Sequence, residues 1–144
     1  MTTTARAFFY VQQVELLVRR RVDECLLPEN ITAGQYMALN LIVHHEPVSS
    51  ADLARRASMT AQSMGEFIKT LEAKGLIARA GDPANRRVIH VRSTPAGRKV
   101  LVRCEARVDQ TERELFQCLS GEELASLRFL LSRVRTAELA YRQE

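Results

Sequence analysis

With 144 residues the chain can form one domain with its own core, or one protomer that completes its core against a copy of itself, but not two catalytic domains. Hydrophobic residues make up 46% and charged residues 26%, the balance of an ordinary globular chain, which excludes disordered and collagen-like classes. The net charge is +4, and all of the positive excess lies in residues 46–100, at +5 against 0 for residues 1–45 and −1 for residues 101–144.

The longest uncharged apolar runs, such as Ala38 to Val43, fall far short of the roughly 18 residues of a membrane span. Met1 to Ala7 has no apolar signal core, so a cytoplasmic protein with no membrane partner is expected. Eighteen of the 21 basic residues are arginine, the side chain whose planar fork pairs with phosphate oxygens and guanine edges.

From Ala5 to Leu27, Phe8, Val11, Val14, Val18, Val22 and Cys25 recur at steps of three or four, predicting a long amphipathic helix that Pro28 ends. Thr32-Ala-Gly-Gln35 has capping-box spacing and opens a second helix, with Tyr36, Leu39, Leu41, Ile42 and Val43 as its apolar residues, stopping before Pro47. Ser49-Ser-Ala-Asp52 starts a short helix over Ser50 to Ala57, whose inward candidates are Ala51, Leu53, Ala54 and Ala57.

Ser58-Met59-Thr60 is a tight break, and Thr60 caps a further helix running to Lys74 with Gly75 as its stop. Met64, Phe67, Ile68 and Leu71 form its buried stripe, leaving Ala61, Gln62, Ser63, Glu66, Lys69 and Thr70 outward. Leu76 to Arg79 and Val88 to Arg92 then read as β-runs flanking a turn-rich connection, Gly81 to Arg87. Thr94-Pro95 begins a long helix to Leu119. Ser120-Gly-Glu-Glu123 is a second capping box, followed by Leu124, Leu127, Leu131 and Val134, a narrow seam suited to a helix-helix interface.

Helix, turn, helix and basic hairpin, in that order, is the sequence of a winged helix-turn-helix. The fold expected is mainly α with a small β-hairpin wing: a winged helix-turn-helix DNA-binding lobe over residues 31–97, flanked by the helical segments 1–30 and 98–144. A major groove about 12 Å wide admits one helix, whose first residues reach base edges. Gln62 and Ser63 occupy those places, while the Thr60 hydroxyl and the first-turn amides suit phosphate. Arg86, at the hairpin tip, is the candidate for a narrow minor groove.

Five segments, Asp52-Leu-Ala-Arg-Arg-Ala57, Thr60-Ala-Gln-Ser-Met64, Leu71-Glu-Ala-Lys-Gly-Leu-Ile-Ala-Arg79, Asp82-Pro-Ala-Asn-Arg-Arg87 and Ser93-Thr-Pro-Ala-Gly97, together resemble the MarR family of bacterial transcriptional regulators. The likeness implies an obligate homodimer joined by its first and last helices, two winged lobes on a pseudo-palindromic duplex DNA operator, and repression relieved by a small phenolic or lipophilic effector or by thiol oxidation. The family motif most often has Asp where this chain has Asn85, which removes one charge partner of Arg86 or Arg87 but keeps a turn former.

These readings give a DNA-facing set. It comprises Ser49, Arg55 and Arg56 of the first helix of the pair, Thr60, Ala61, Gln62, Ser63, Glu66 and Lys69 of the second, and Arg79, Asp82, Asn85, Arg86 and Arg87 of the hairpin. Arg55 and Arg56 read equally as phosphate clamps or as a solvated helix face. Phe8, Val11, Leu124, Leu127, Leu131 and Val134 are the candidate dimer contacts. Tyr10, Tyr36, Met37, Asn40 and His44 are candidates for an effector pocket, with plain core as the competing reading.

Cys25, Cys104 and Cys118 are odd in number and show no CxxC, so neither a disulfide framework nor a zinc knuckle is encoded. Cys25 and Cys104 are redox candidates weighed against simple packing. The two imidazoles of His44-His45-Glu46 point about 100° apart on a helix and are poorly placed to share one ion, so no metal site is expected. No nucleophile elbow, phosphate loop or HExxH stands in the chain, which argues for a regulator without cofactor rather than an enzyme. The competing readings are a thiol-responsive regulator, an activator or metal-dependent regulator, and a winged-helix adaptor that binds protein instead of DNA.

Overall fold

The computed structural model describes residues 5–143, so most of Met1–Ala7 and the extreme ends of the expected dimerisation segments lie outside the described residues. The chain divides into two compact units, Met1–Thr111 and Glu112–Glu144. Six helices and three short strands are found among the described residues, and none of the helices is long and apolar enough to cross a membrane.

In the first unit, α1 (Ala7–Leu26) is followed by a 3₁₀ turn at Leu27–Glu29 and by α2 (Ala33–His45). Pro28 sits inside that turn, and Asn30 closes it in the left-handed region at φ 53°. The Thr32 capping box is present, with Thr32 Oγ1 accepting from Gln35 N at 3.2 Å and Thr32 N donating to Gln35 Oε1 at 3.2 Å. Asp23 adds a restraint that spacing alone did not reveal: its Oδ1 accepts from Ala33 N at 2.7 Å, tying α1 to the start of α2.

β1 (Val48–Ser49), α3 (Ser50–Ala57) and α4 (Ala61–Ala73) come next. Ser49 caps α3 by accepting from Asp52 N, and Thr60 caps α4 by accepting from Ser63 N. Leu53 and Ala54 are buried, but Ala51 is exposed, a correction to the expected inward face: in a helix of two turns only one narrow side reaches the core. In α4, Met64, Ile68 and Leu71 are buried and Phe67 lies half-buried at the edge of the stripe.

β2 (Ile77–Asp82) and β3 (Asn85–Ser93) form the hairpin. The strands run through the stretch expected to be turn, leaving only Pro83 and Ala84 between them. Ile77 to Gly81 pair with Ser93 to Ile89, the register then slips, and Asp82 pairs with Asn85, so Arg86, Arg87 and Val88 face no residue of β2. β1 adds a third, outer strand through Val48↔Val91 and Ser49↔His90. A two-residue strand carries too little alternation to be legible in sequence.

α5 (Pro95–Leu115) ends four residues before the expected Leu119, and a turn leads to α6 (Gly121–Tyr141). Leu101 and Cys104 of α5 are buried with Leu26, Leu39, Ile42, Leu53, Met64, Ile68, Leu71 and Val91, so the lobe core reaches beyond residue 97. Removing a fully buried leucine side chain from such a core costs about 2 to 5 kcal/mol.

The second unit carries the Ser120 capping box and an ion pair between Arg128 Nη2 and Glu112 Oε1 at 3.3 Å. No described residue of α6 is buried. Leu124 and Leu127 are half-covered, whereas Leu131 and Val134 stand 49% and 69% exposed.

Candidate nucleic-acid interface

α3, the turn at Ser58–Thr60 and α4 place the start of α4 at the surface. Ser58 adopts a left-handed conformation at φ 54°, and the bond from Met59 N to Ala54 O closes the turn. Ala61 and Gln62 are exposed on the first turn of α4, and Ser63 is half-buried. The first helical backbone bond, Met64 N to Thr60 O, leaves the amides of Ala61 and Gln62 ahead of the ladder, where an anion is stabilised by the helix terminus.

The Thr60 hydroxyl is engaged in the cap of α4. It accepts from Ser63 N at 3.1 Å and donates to Ser63 Oγ at 3.0 Å, so its proton is used inside the cap. Glu66 and Lys69 are exposed further along α4. On α3, Arg55 is ion-paired with Asp52 on its own helix, and Arg56 is exposed.

The hairpin projects from the end of α4. Arg79 is held in a fork by Glu72, with Nε to Oε2 at 3.0 Å and Nη2 to Oε1 at 2.8 Å. The paired guanidinium holds the Glu72 carboxyl below its ordinary range, and the carboxylate raises Arg79 in turn. This fork ties β2 to α4 while Arg79 remains exposed. Asp82 Oδ1 accepts from Ala84 N at 2.8 Å and Asn85 Oδ1 accepts from Arg87 N at 3.2 Å, so side-chain oxygens at both ends of the turn shape the tip. Asn85 does this with a neutral amide oxygen, which shows how the turn survives without a carboxylate. Among the described residues, Arg86 and Arg87 have no ion-pair partner.

Of the expected effector-pocket residues, Tyr10 is exposed on α1, while Tyr36, Asn40 and His44 follow one another at four-residue steps along α2, where Asn40 Nδ2 donates to Glu105 Oε1 at 3.1 Å and His44 Nδ1 lies 2.7 Å from Asn40 O. Met37 instead lines a groove of about 470 Å³ with Val18, Val22, Ala57, Met59 and Phe67. Glu46 Oε2 accepts from Ser93 N at 2.6 Å and so braces β3, and no cluster of three metal-ligating side chains occurs among the described residues.

Cys104 is fully buried, and burial, followed by the nearby Glu29 charge, pushes its thiol up to about 11. Full burial favours the packing reading of Cys104 over the redox one, since a sensing cysteine must be accessible and ionise readily. Arg103, next to Cys104 in the chain, is engaged by Glu29 at 2.9 Å, as is Arg107 at 3.3 Å. Cys25 is half-buried and donates to Val22 O at 3.2 Å, a packing role in the helix stripe. Phe8 and Val11 on α1 are 64% and 58% exposed.

Residues 31–89 match the family model described as the MarR family. A helix-turn-helix-type transcriptional repressor of Mycobacterium tuberculosis is 26% identical over 126 residues, covering 88% of this chain and 91% of that protein. A MarR variant of Escherichia coli, crystallised with operator DNA, superposes with a TM-score of 0.80 at 26% identity over 87% of this chain and 90% of that one. A MarR family protein of Mycobacterium tuberculosis in complex with p-aminosalicylic acid gives a TM-score of 0.73 at 25% identity over 90% of this chain and 98% of that one.

Proposed function

The chain belongs to the MarR family, and from that premise we propose that it is a cytoplasmic, homodimeric repressor that reads a pseudo-palindromic DNA operator and releases it when a small aromatic or lipophilic effector binds. The observation that carries the reading is the pairing of the exposed first turn of α4 at Ala61 and Gln62 with Arg86 and Arg87, which among the described residues have no ion-pair partner, at the tip of the adjoining hairpin. One element fits a major groove and the other a flanking minor groove.

Two-fold symmetry doubles every such contact and calls for two half-sites about 34 Å apart, one duplex turn. Effector control then needs only a ligand that prefers a dimer with the wrong lobe spacing, and a coupling of about 1 to 3 kcal/mol lowers operator affinity by 5- to 150-fold. The bound p-aminosalicylic acid in the mycobacterial relative supports a ligand of that chemical type. Function rests on binding, with no catalytic step.

The test is selection of bound duplexes from a random library at about 50 mM salt, followed by titration of the recovered sequence. Recovery of a two-fold-related sequence, with affinity falling steeply as salt rises, is the expected result. A protein that retains no duplex at low ionic strength is an adaptor and not a repressor.

A further inference from the structure

At the end of α4 the backbone makes a full Schellman closure: Leu76 N bonds to Leu71 O at 3.0 Å, Gly75 N bonds to Glu72 O at 2.9 Å, and Gly75 takes φ +73°. The next carbonyls are claimed from the far side of the hairpin, where α5 begins. Thr94 N donates to Leu76 O at 3.0 Å. The Thr94 hydroxyl donates to Gly75 O at 2.7 Å and accepts from Gly97 N at 3.0 Å, so one side chain caps the start of α5 and the exit of α4 together.

The two elements are also in steric contact. A Cβ on Gly97 would lie 2.0 Å from Leu76 O, so only glycine lets α5 seat on this turn.

From this geometry we infer that Thr94 and Gly97 are positioning residues: they form a stiff joint that fixes the angle between the DNA-reading helix α4 and the long helix α5, and thereby sets the spacing of the two lobes on DNA. The inference rests on the proposed operator-binding dimer and adds the element that holds its geometry. α5 runs unbroken for 21 residues from the joint, about 30 Å at 1.5 Å per residue. A tilt of about 5° at one end of such a rod moves the other by about 2.6 Å. Hydrogen bonds to base edges tolerate only a few tenths of an ångström, so even a small loosening misaligns the second half-site once the first is docked.

Thr94→Val keeps the shape and removes both hydroxyl bonds, Thr94→Ser restores them, and Gly97→Ala forces the helix off the turn. Each variant dimer carries a spin label on Arg86→Cys in a Cys118→Ser background, and the label-to-label distance distribution is measured without DNA. Wild type and Thr94→Ser should give one narrow distribution, and Thr94→Val and Gly97→Ala a broadened or shifted one. In unlabelled protein, the ratio of affinities for the selected full duplex and for its isolated half-site should fall about tenfold in Thr94→Val and recover in Thr94→Ser.

A general loss of folding lowers both affinities together and leaves their ratio unchanged, which would overturn the inference, as would an unaltered distance distribution. Should wild type select no duplex, the repressor reading fails, while the distance measurement still decides the joint.

Discussion

Arg86→Ala tests the wing. The substituted side chain lies where β3 has no register partner on β2 and, among the described residues, pairs with no carboxylate. Truncation therefore leaves no buried group unsatisfied, and stability should change by no more than about 0.5 kcal/mol. On DNA the loss is twofold because a symmetric dimer presents the residue twice. Each phosphate neutralised contributes a slope of about −0.9 to log affinity against log salt, so two lost contacts flatten the slope by about 1.8. Between about 50 and 200 mM salt the wild-type protein should thus lose about twelvefold more affinity than the variant. Fluorescence anisotropy with the selected duplex across that range measures the difference, and circular dichroism melting confirms that the fold is retained. An unchanged slope would remove Arg86 from the interface. Weaker binding accompanied by a lower melting point would mean that the arginine supports the hairpin instead.

Gln62→Ala should alter which sequences are recovered by selection more than it alters total affinity, whereas a uniform loss places Gln62 on the backbone and not on bases. Val134→Asp, on the open apolar side of α6, should convert the dimer to monomer in light scattering, and a stable dimer would exclude that residue from the interface. Glu29 is held below the ordinary glutamate range by its hydrogen bond to Arg103, with Arg107 assisting. Because the folded value is the lower one, its stabilisation is complete above the ordinary range and is lost as pH falls through the folded value. The urea midpoint of Glu29→Gln should therefore lie below that of wild type at pH 7, and the gap should narrow as the pH is lowered below the ordinary glutamate range.

Cys104, raised to about 11 from an ordinary 9.0, behaves in the opposite sense. Its contribution is full below pH 9 and declines above it as the unfolded thiol ionises first, so the urea midpoint should drop more steeply above pH 9 in wild type than in Cys104→Ala. A thiol reagent at pH 8 should modify the exposed Cys118 well before Cys104.

The helix starts were legible residue by residue. Thr32, Ser49, Thr60 and Ser120 each cap the helix their spacing announced, because a cap is a local contract between one side-chain oxygen and an amide three residues on. Apolar periodicity likewise located the α4 stripe, and the helix-turn-helix followed from adjacency in the chain. Contacts between distant residues were not legible in this way. Asp23 on Ala33, Glu46 on Ser93, Glu29 between Arg103 and Arg107, and Arg79 in the grip of Glu72 pair groups whose meeting depends on how helices pack. Sequence therefore placed Arg79 with Arg86 in one DNA-facing set, though only Arg86 at the hairpin tip, and could not show that Glu72 holds Arg79.

By itself, then, the sequence determined the order of the elements, their caps, the basic middle third and the family to which those motifs belong, all of which are written in near-neighbour spacing. Only the tertiary structure decided which arginines keep their charge for a partner, which cysteine is sealed from ionisation, and how one threonine hydroxyl joins two helix ends 19 residues apart in the chain. Those outcomes depend on burial and on distances across the fold, and a linear pattern of residues encodes neither until the core has closed.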